Sequence, residues 1–128
     1  MKIEHIAIWV EDIELLRLFY MKYFRVTCNN KYVNRKRDYT SYFLSFGEGK
    51  SRMELMNIPN MIEPISRGQM KGLAHFAISV GSKDVVNSLT ETIRKDGYTI
   101  AGEPRTSGDG YYESVILDPE GNFVEITE

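Results

Sequence analysis

Two stretches of this chain, 70 residues apart, share one alternation of apolar with small or polar positions. Ile3-Glu4-His5-Ile6-Ala7-Ile8-Trp9-Val10 and Leu73-Ala74-His75-Phe76-Ala77-Ile78-Ser79-Val80 both contain His-apolar-Ala-Ile-x-Val. A period of two puts successive side chains on opposite sheet faces, so each stretch predicts a strand. In the first, Ile6, Ile8 and Val10 form an apolar face, with His5, Ala7 and Trp9 opposite. In the second, Ala74, Phe76, Ile78 and Val80 lie opposite His75, Ala77 and Ser79. After each strand the period lengthens to three and four. Ile13, Leu16, Phe19 and Tyr23 predict a helix over 12–24, with Asp12 placed to cap it. Val85 or Val86, Leu89 and Ile93 predict another over 83–95, between Ser82 as N-cap and Gly97 as the stop. The remaining pattern predicts strands over 26–34, 39–46 and 52–57, and over 98–103, 111–117 and 122–127. Gly47-Glu48-Gly49-Lys50 and Asp118-Pro119-Glu120-Gly121 read as turns.

The order is β-α-β-β-β, twice, which makes the fold class α+β. The expected organisation is one domain over 1–128, with a module at 1–57, a linker at 58–71 carrying Pro59 and Pro64, and a second module at 72–128. Two such modules pair about a pseudo-twofold axis, a curved mixed sheet forming a cup with the helices outside. A chain of 128 residues is long enough for one real core. Lys and Arg number 16 against 18 Asp and Glu, a net charge of −2, with no long basic stripe, which argues against a nucleic-acid partner. Arg35-Lys36-Arg37, closed by Asp38, reads as a solvated loop or strand end. The single cysteine, Cys28, excludes an intramolecular disulfide and a multi-cysteine metal site, and reads as a small apolar filler. No apolar run approaches the roughly 20 residues that span a bilayer, and Met1-Lys2-Ile3-Glu4-His5 lacks the apolar stretch of a signal peptide. The expectation is a cytoplasmic protein with no membrane partner. Tyr20, Tyr23, Tyr32, Tyr39, Tyr42 and Phe43 read mostly as core, with a minority lining a pocket. Gly108-Asp109-Gly110 has no phosphate-binding context and reads as a flexible rim.

The candidate chemistry sits on the cup face. Glu54 and Glu125, 71 residues apart, each stand between apolar neighbours in Met53-Glu54-Leu55 and Val124-Glu125-Ile126. A carboxylate at a strand centre loses hydration unless something positive faces it. Taken singly, a strand histidine is usually a satisfied or half-exposed residue, and a strand glutamate is usually solvated or ion-paired. Both recur here at matching positions of a doubled module, which isolated readings do not explain. His5, Glu54, His75 and Glu125 therefore form a candidate two-His, two-Glu site for one divalent ion: Zn, Ni, Co, Mn or Fe. At five- or six-coordination such a site keeps positions open for water or substrate.

The doubled βαβββ pattern, with His on the first and Glu on the fourth strand of each half, resembles the vicinal oxygen chelate superfamily. So does the ending Leu117-Asp118-Pro119-Glu120-Gly121-Asn122-Phe123-Val124-Glu125-Ile126. The quartet itself resembles that of glyoxalase I, the lactoylglutathione lyase. The resemblance implies a metal-dependent lyase that isomerises the hemithioacetal of a 2-oxoaldehyde through an enediolate. Glu125 would be the principal base and Glu54 its partner. In related families, extradiol dioxygenases and fosfomycin-resistance transferases use a His-His-Glu triad, methylmalonyl-CoA epimerase carries a glutamine where Glu54 stands, and bleomycin-resistance proteins lack the ligands. The alternatives are thus a small-molecule binding or resistance protein without turnover, or an epimerase or dioxygenase on another chelating substrate. Glyoxalase I commonly holds glutathione with an arginine and an asparagine where this chain has Trp9 and Ile58, with Asn57 one residue early. The thiol therefore need not be glutathione. Trp9, Arg52 and Met56 are the candidate substrate-pocket residues. The resemblance also implies a homodimer, each site taking His5 and Glu54 from one chain and His75 and Glu125 from the other.

Overall fold

In the computed structural model, which describes residues 1–128, nine strands and two helices follow one another. Their order is β1 (His5–Trp9), α1 (Ile13–Phe24), β2 (Thr27–Cys28), β3 (Tyr32–Asn34), β4 (Tyr39–Ser45), β5 (Arg52–Asn57), β6 (Phe76–Ser79), α2 (Lys83–Lys95), β7 (Ile100–Thr106), β8 (Tyr112–Leu117) and β9 (Phe123–Thr127). They divide into two units, Met1–Glu63 and Pro64–Glu128, whose boundary falls within the segment joining the modules.

In the first unit the sheet order is β1-β5-β4-β2, with β3 also paired to β4. β1 runs parallel to β5, and β4 is antiparallel to it, so the sheet is mixed. The Asp12 carboxylate opens α1 by accepting the backbone N–H groups of Glu14 and Leu15 at 3.1 and 2.9 Å. Arg25, left-handed at φ 53°, closes it. Leu16 and Tyr20 of α1 are fully buried with Val10, Leu44, Met53 and Leu55, so the helix covers the apolar parity of the sheet. That leaves Glu54 and Met56 on the opposite parity.

The second unit repeats the plan with order β6-β9-β8-β7, β6 and β9 parallel and the rest antiparallel. The Ser82 hydroxyl accepts the Val85 N–H at the start of α2. Gly97 at φ +90° turns the chain out, its N–H donating to Arg94 and that of Tyr98 to Ile93. Val86, Thr90 and Ile93 of α2 are fully buried with Ile116, Val124 and Ile126. The helix face thus runs through Val86 rather than Val85, which is exposed. Thr90 is tolerable there because its hydroxyl donates to the Val86 carbonyl and shares a 2.7 Å hydrogen bond with Ser114.

Three expectations need correction. The strand expected over 26–34 is two short strands, broken where Asn29 exchanges hydrogen bonds with the backbone of Phe43 through its own N–H and its side-chain oxygen. The strand expected over 98–103 lies at Ile100–Thr106 and passes through Pro104, which an edge strand with two register shifts accommodates. His75 is not inside a strand: ladder pairing begins one residue later, with Phe76 against Val124. The faces are nevertheless as expected, since Ile8 and Ile78 are buried while His5, Trp9, His75 and Ser79 are exposed.

Candidate metal centre

In the first unit, the parallel pairing sets His5 opposite Arg52 and Ala7 opposite Glu54, which brings His5 and Glu54 to one face. Their Nε2 and Oε2 atoms lie 4.0 Å apart. In the second, Ala77 is opposite Glu125, and His75 Nε2 lies 3.5 Å from Glu125 Oε2. Two ligands bound at about 2.1 Å to one ion stand about 3.0–3.5 Å apart, so each pair is close to the separation shared coordination needs. The side chains of Glu54 and Glu125 are only 15% and 18% exposed. In neither unit are three or more His, Cys, Asp or Glu side chains placed so that they could hold a metal ion by themselves; each supplies one His–Glu pair.

The surroundings of the two pairs differ. The His5 Nδ1 is held 2.5 Å from Glu4 Oε2, leaving Nε2 on the side of Glu54, as a nitrogen ligand requires. Glu4 also pairs with Arg52, at 2.5 Å from Nη2 and 2.8 Å from Nε. His5 first and Arg52 second hold the Glu4 carboxyl below its ordinary value. On the other side, Tyr39 Oη donates to Glu54 Oε1 at 2.8 Å. Burial keeps the Tyr39 phenol above its usual value; a hydrogen bond with Ser41 pulls it down and the Glu54 carboxylate pushes it further up. In the second unit, burial raises the Glu125 carboxyl above its ordinary value, the charge of Glu113 adds to this, and His75 opposes it. Glu113 in turn accepts from Arg105 Nη2 at 3.4 Å. His75, Glu113, Glu125, Arg105 and Phe123 line a cavity of ≈ 470 Å³. Gly68 forms part of its wall, where a Cβ would come within 2.8 Å of the Phe123 ring.

The three candidate pocket residues lie on or beside this face. Trp9 is half-exposed and meets Tyr39 edge to face, ring centroids 6.4 Å apart. Met56, half-buried, is its partner in the ladder. Arg52 has its charge engaged by Glu4 and its guanidinium 4.2 Å above the Phe43 ring, so it is not a ready cation for a substrate. Cys28 reads as expected: burial raises its thiol above the ordinary value, and its Sγ donates to the Asn29 carbonyl. The residues around 35–37 are an exposed turn between β3 and β4.

Sequence reasoning missed the partners of the quartet. Tyr39, Ser41 and Phe43 share one parity of β4, and Phe43 is opposite Glu54. That adjacency follows once the 47–50 turn pairs β4 with β5, and it was the available signal. Glu4 is next to His5 in the chain, but strand parity alone would send it to the other face.

Helix-backed mixed sheets in tandem, each with a histidine at or just before the start of its first strand and a glutamate in its last, define an α+β class of duplicated βαβββ proteins. Within it, residues 2–126 match the Glyoxalase/Bleomycin resistance protein/Dioxygenase superfamily, and the chain belongs to that family. Among solved structures it is similar to the trypanothione-dependent glyoxalase I of Leishmania major, at 22% identity and TM-score 0.80, covering 100% of this chain and 86% of that one. It is also similar to glyoxalase I from Zea mays, at 24% identity and TM-score 0.80, covering 98% of this chain but only 44% of that longer one. A glyoxylase/bleomycin resistance protein/dioxygenase domain from Frankia sp. EAN1pec superposes with TM-score 0.84 at 14% identity, covering 99% and 96%. Comparison with curated proteins gave no match.

Proposed function

We propose that this protein is a metal-dependent lyase of the glyoxalase I type, which isomerises the hemithioacetal of a 2-oxoaldehyde. The observation that carries this reading is the repeated His–Glu pair. His5 with Glu54 and His75 with Glu125 occupy matching places in two modules, at 4.0 and 3.5 Å, with both carboxylates largely buried. Imidazole nitrogen and carboxylate oxygen suit one ion of the Zn, Ni, Co, Mn or Fe group, held by His5, Glu54, His75 and Glu125. When bound, such an ion supplies Lewis acidity that stabilises negative charge developing on two neighbouring oxygens. Glu125 takes the proton from the carbon bearing the thiol and returns it to its neighbour, with Glu54 as its partner; no atom is gained or lost.

The thiol in this reading need not be glutathione. Trp9 offers a ring face where a guanidinium would clamp a carboxylate, and Arg52 is tied to Glu4. The exposed rings of Trp9 and Tyr32 against Tyr39 favour an apolar or planar substrate portion instead. The same aromatic surface supports a second reading, a small-molecule binding or resistance protein without turnover.

Metal analysis by mass spectrometry and a thiol screen separate the two. The expected result is bound divalent metal that is lost in His5→Ala and Glu125→Gln. Methylglyoxal should then turn over with one member of a panel containing glutathione, smaller thiols and a trypanothione-type dithiol, since the Leishmania neighbour depends on trypanothione. No uptake of nickel, cobalt or zinc after dialysis would sink the lyase reading and leave the binding protein.

A further inference from the structure

The two carboxylates of the quartet have different neighbours on the adjoining strand. Phe43 is opposite Glu54 and Val115 is opposite Glu125, so Tyr39 and Ser41 on β4 match Tyr111, just before β8, and Glu113 within it. At the first of these positions the modules diverge in geometry: Tyr39 is half-buried and donates to Glu54, whereas Tyr111 is 56% exposed. At the second they diverge in chemistry. Ser41 sets a neutral hydroxyl on the side of the Tyr39 phenol, whereas Glu113 sets a second carboxyl beside Glu125.

Glu54 therefore has its two oxygens assigned to different tasks. Oε1 accepts from Tyr39 at 2.8 Å, and Oε2 faces His5 Nε2 at 4.0 Å. The tyrosine ring is itself held, edge-on to Trp9 at 6.4 Å and to Tyr32 at 6.0 Å. Resting on the metal-centre reading above, we propose that Tyr39 is a positioning residue. It occupies one oxygen of Glu54 and fixes the carboxylate so that only the other is offered to the ion shared with His5. Hydrogen bonds to metal-ligating carboxylates orient them, and their loss typically weakens metal binding by about 10- to 100-fold.

The test is titration of the full-length protein with cobalt(II), reading affinity by competition and ligand geometry by visible absorption. Tyr39→Phe removes one hydroxyl and keeps the ring. The expected result is cobalt binding about tenfold weaker or more, with a changed absorption envelope as Glu54 becomes free to use both oxygens. Ser41→Ala, which keeps the phenol but removes the hydroxyl on its side of β4, should shift both readouts in the same direction by less, and it tests the idea independently if Tyr39→Phe folds poorly. Tyr111→Phe should leave both unchanged. Wild-type affinity and spectrum in Tyr39→Phe and Ser41→Ala, or an equal shift in Tyr111→Phe, would overturn the positioning role while leaving the metal centre standing. Failure of the wild-type protein to bind cobalt would overturn both.

Discussion

Glu14 shows how much a single residue can organise away from the metal centre. Its carboxylate accepts from Arg17 at 3.0 Å, Lys31 at 3.1 Å and the Tyr42 hydroxyl at 2.9 Å, tying α1 to β4 and to the chain before β3. Burial pushes its carboxyl up, but the hydrogen bonds from Tyr42, Lys31 and Arg17 together outweigh it, and the net direction is down. A carboxyl lowered by folding adds stability above its unfolded value, and that stability is lost as pH falls through the folded value. Thermal stability should therefore fall from about pH 5 downwards, and Glu14→Gln should lower the melting temperature at neutral pH while flattening this acid slope. Because Glu14 is 44% exposed, solvent screens the effect, and high salt should shrink the difference between the two proteins. Equal acid slopes for both would show that the cluster contributes nothing measurable.

At the scale of elements, capping and parity account for most of what forms. Asp12, Ser82 and Gly97 stand where the helix ends need them, and the buried faces of α1 and α2 follow three- and four-residue spacing. These features were legible because each depends on neighbours within one turn. Thr90 was not legible, since a hydroxyl on the buried stripe is readable only when its partner on β8 is known. Its hydrogen bond to Ser114 predicts an asymmetric response. Thr90→Val leaves the Ser114 hydroxyl buried without its partner and should cost about 1–3 kcal/mol by denaturant unfolding. Adding Ser114→Ala should recover part of that loss, because the orphaned group is then removed. A double variant less stable than Thr90→Val alone would refute this account.

At the scale of the whole molecule, the proposed quartet takes two ligands from each module, and the resemblance points to a homodimer. Sedimentation equilibrium should then give about twice the chain mass of 14.8 kDa, with metal bound at one ion per chain. A species at the single-chain mass that still binds one ion would remove the dimer from the proposal and keep the site. No helix in the structure is long and apolar enough to cross a membrane.

The duplication, the α+β order, the helix caps and the shared parity of the histidines and glutamates were all written in local periodicity. Each of these is a statement about residues two, three or four apart, or about one motif repeated. Tertiary structure decided what depends on register between strands distant in sequence: that Tyr39 reaches Glu54, that Arg52 is spent on Glu4 and Phe43, and that Glu113 comes beside Glu125. It also broke the 26–34 strand at Asn29 and left His75 outside its ladder. Spacing along the chain specifies which face a side chain takes, but only pairing across the sheet specifies what it meets there.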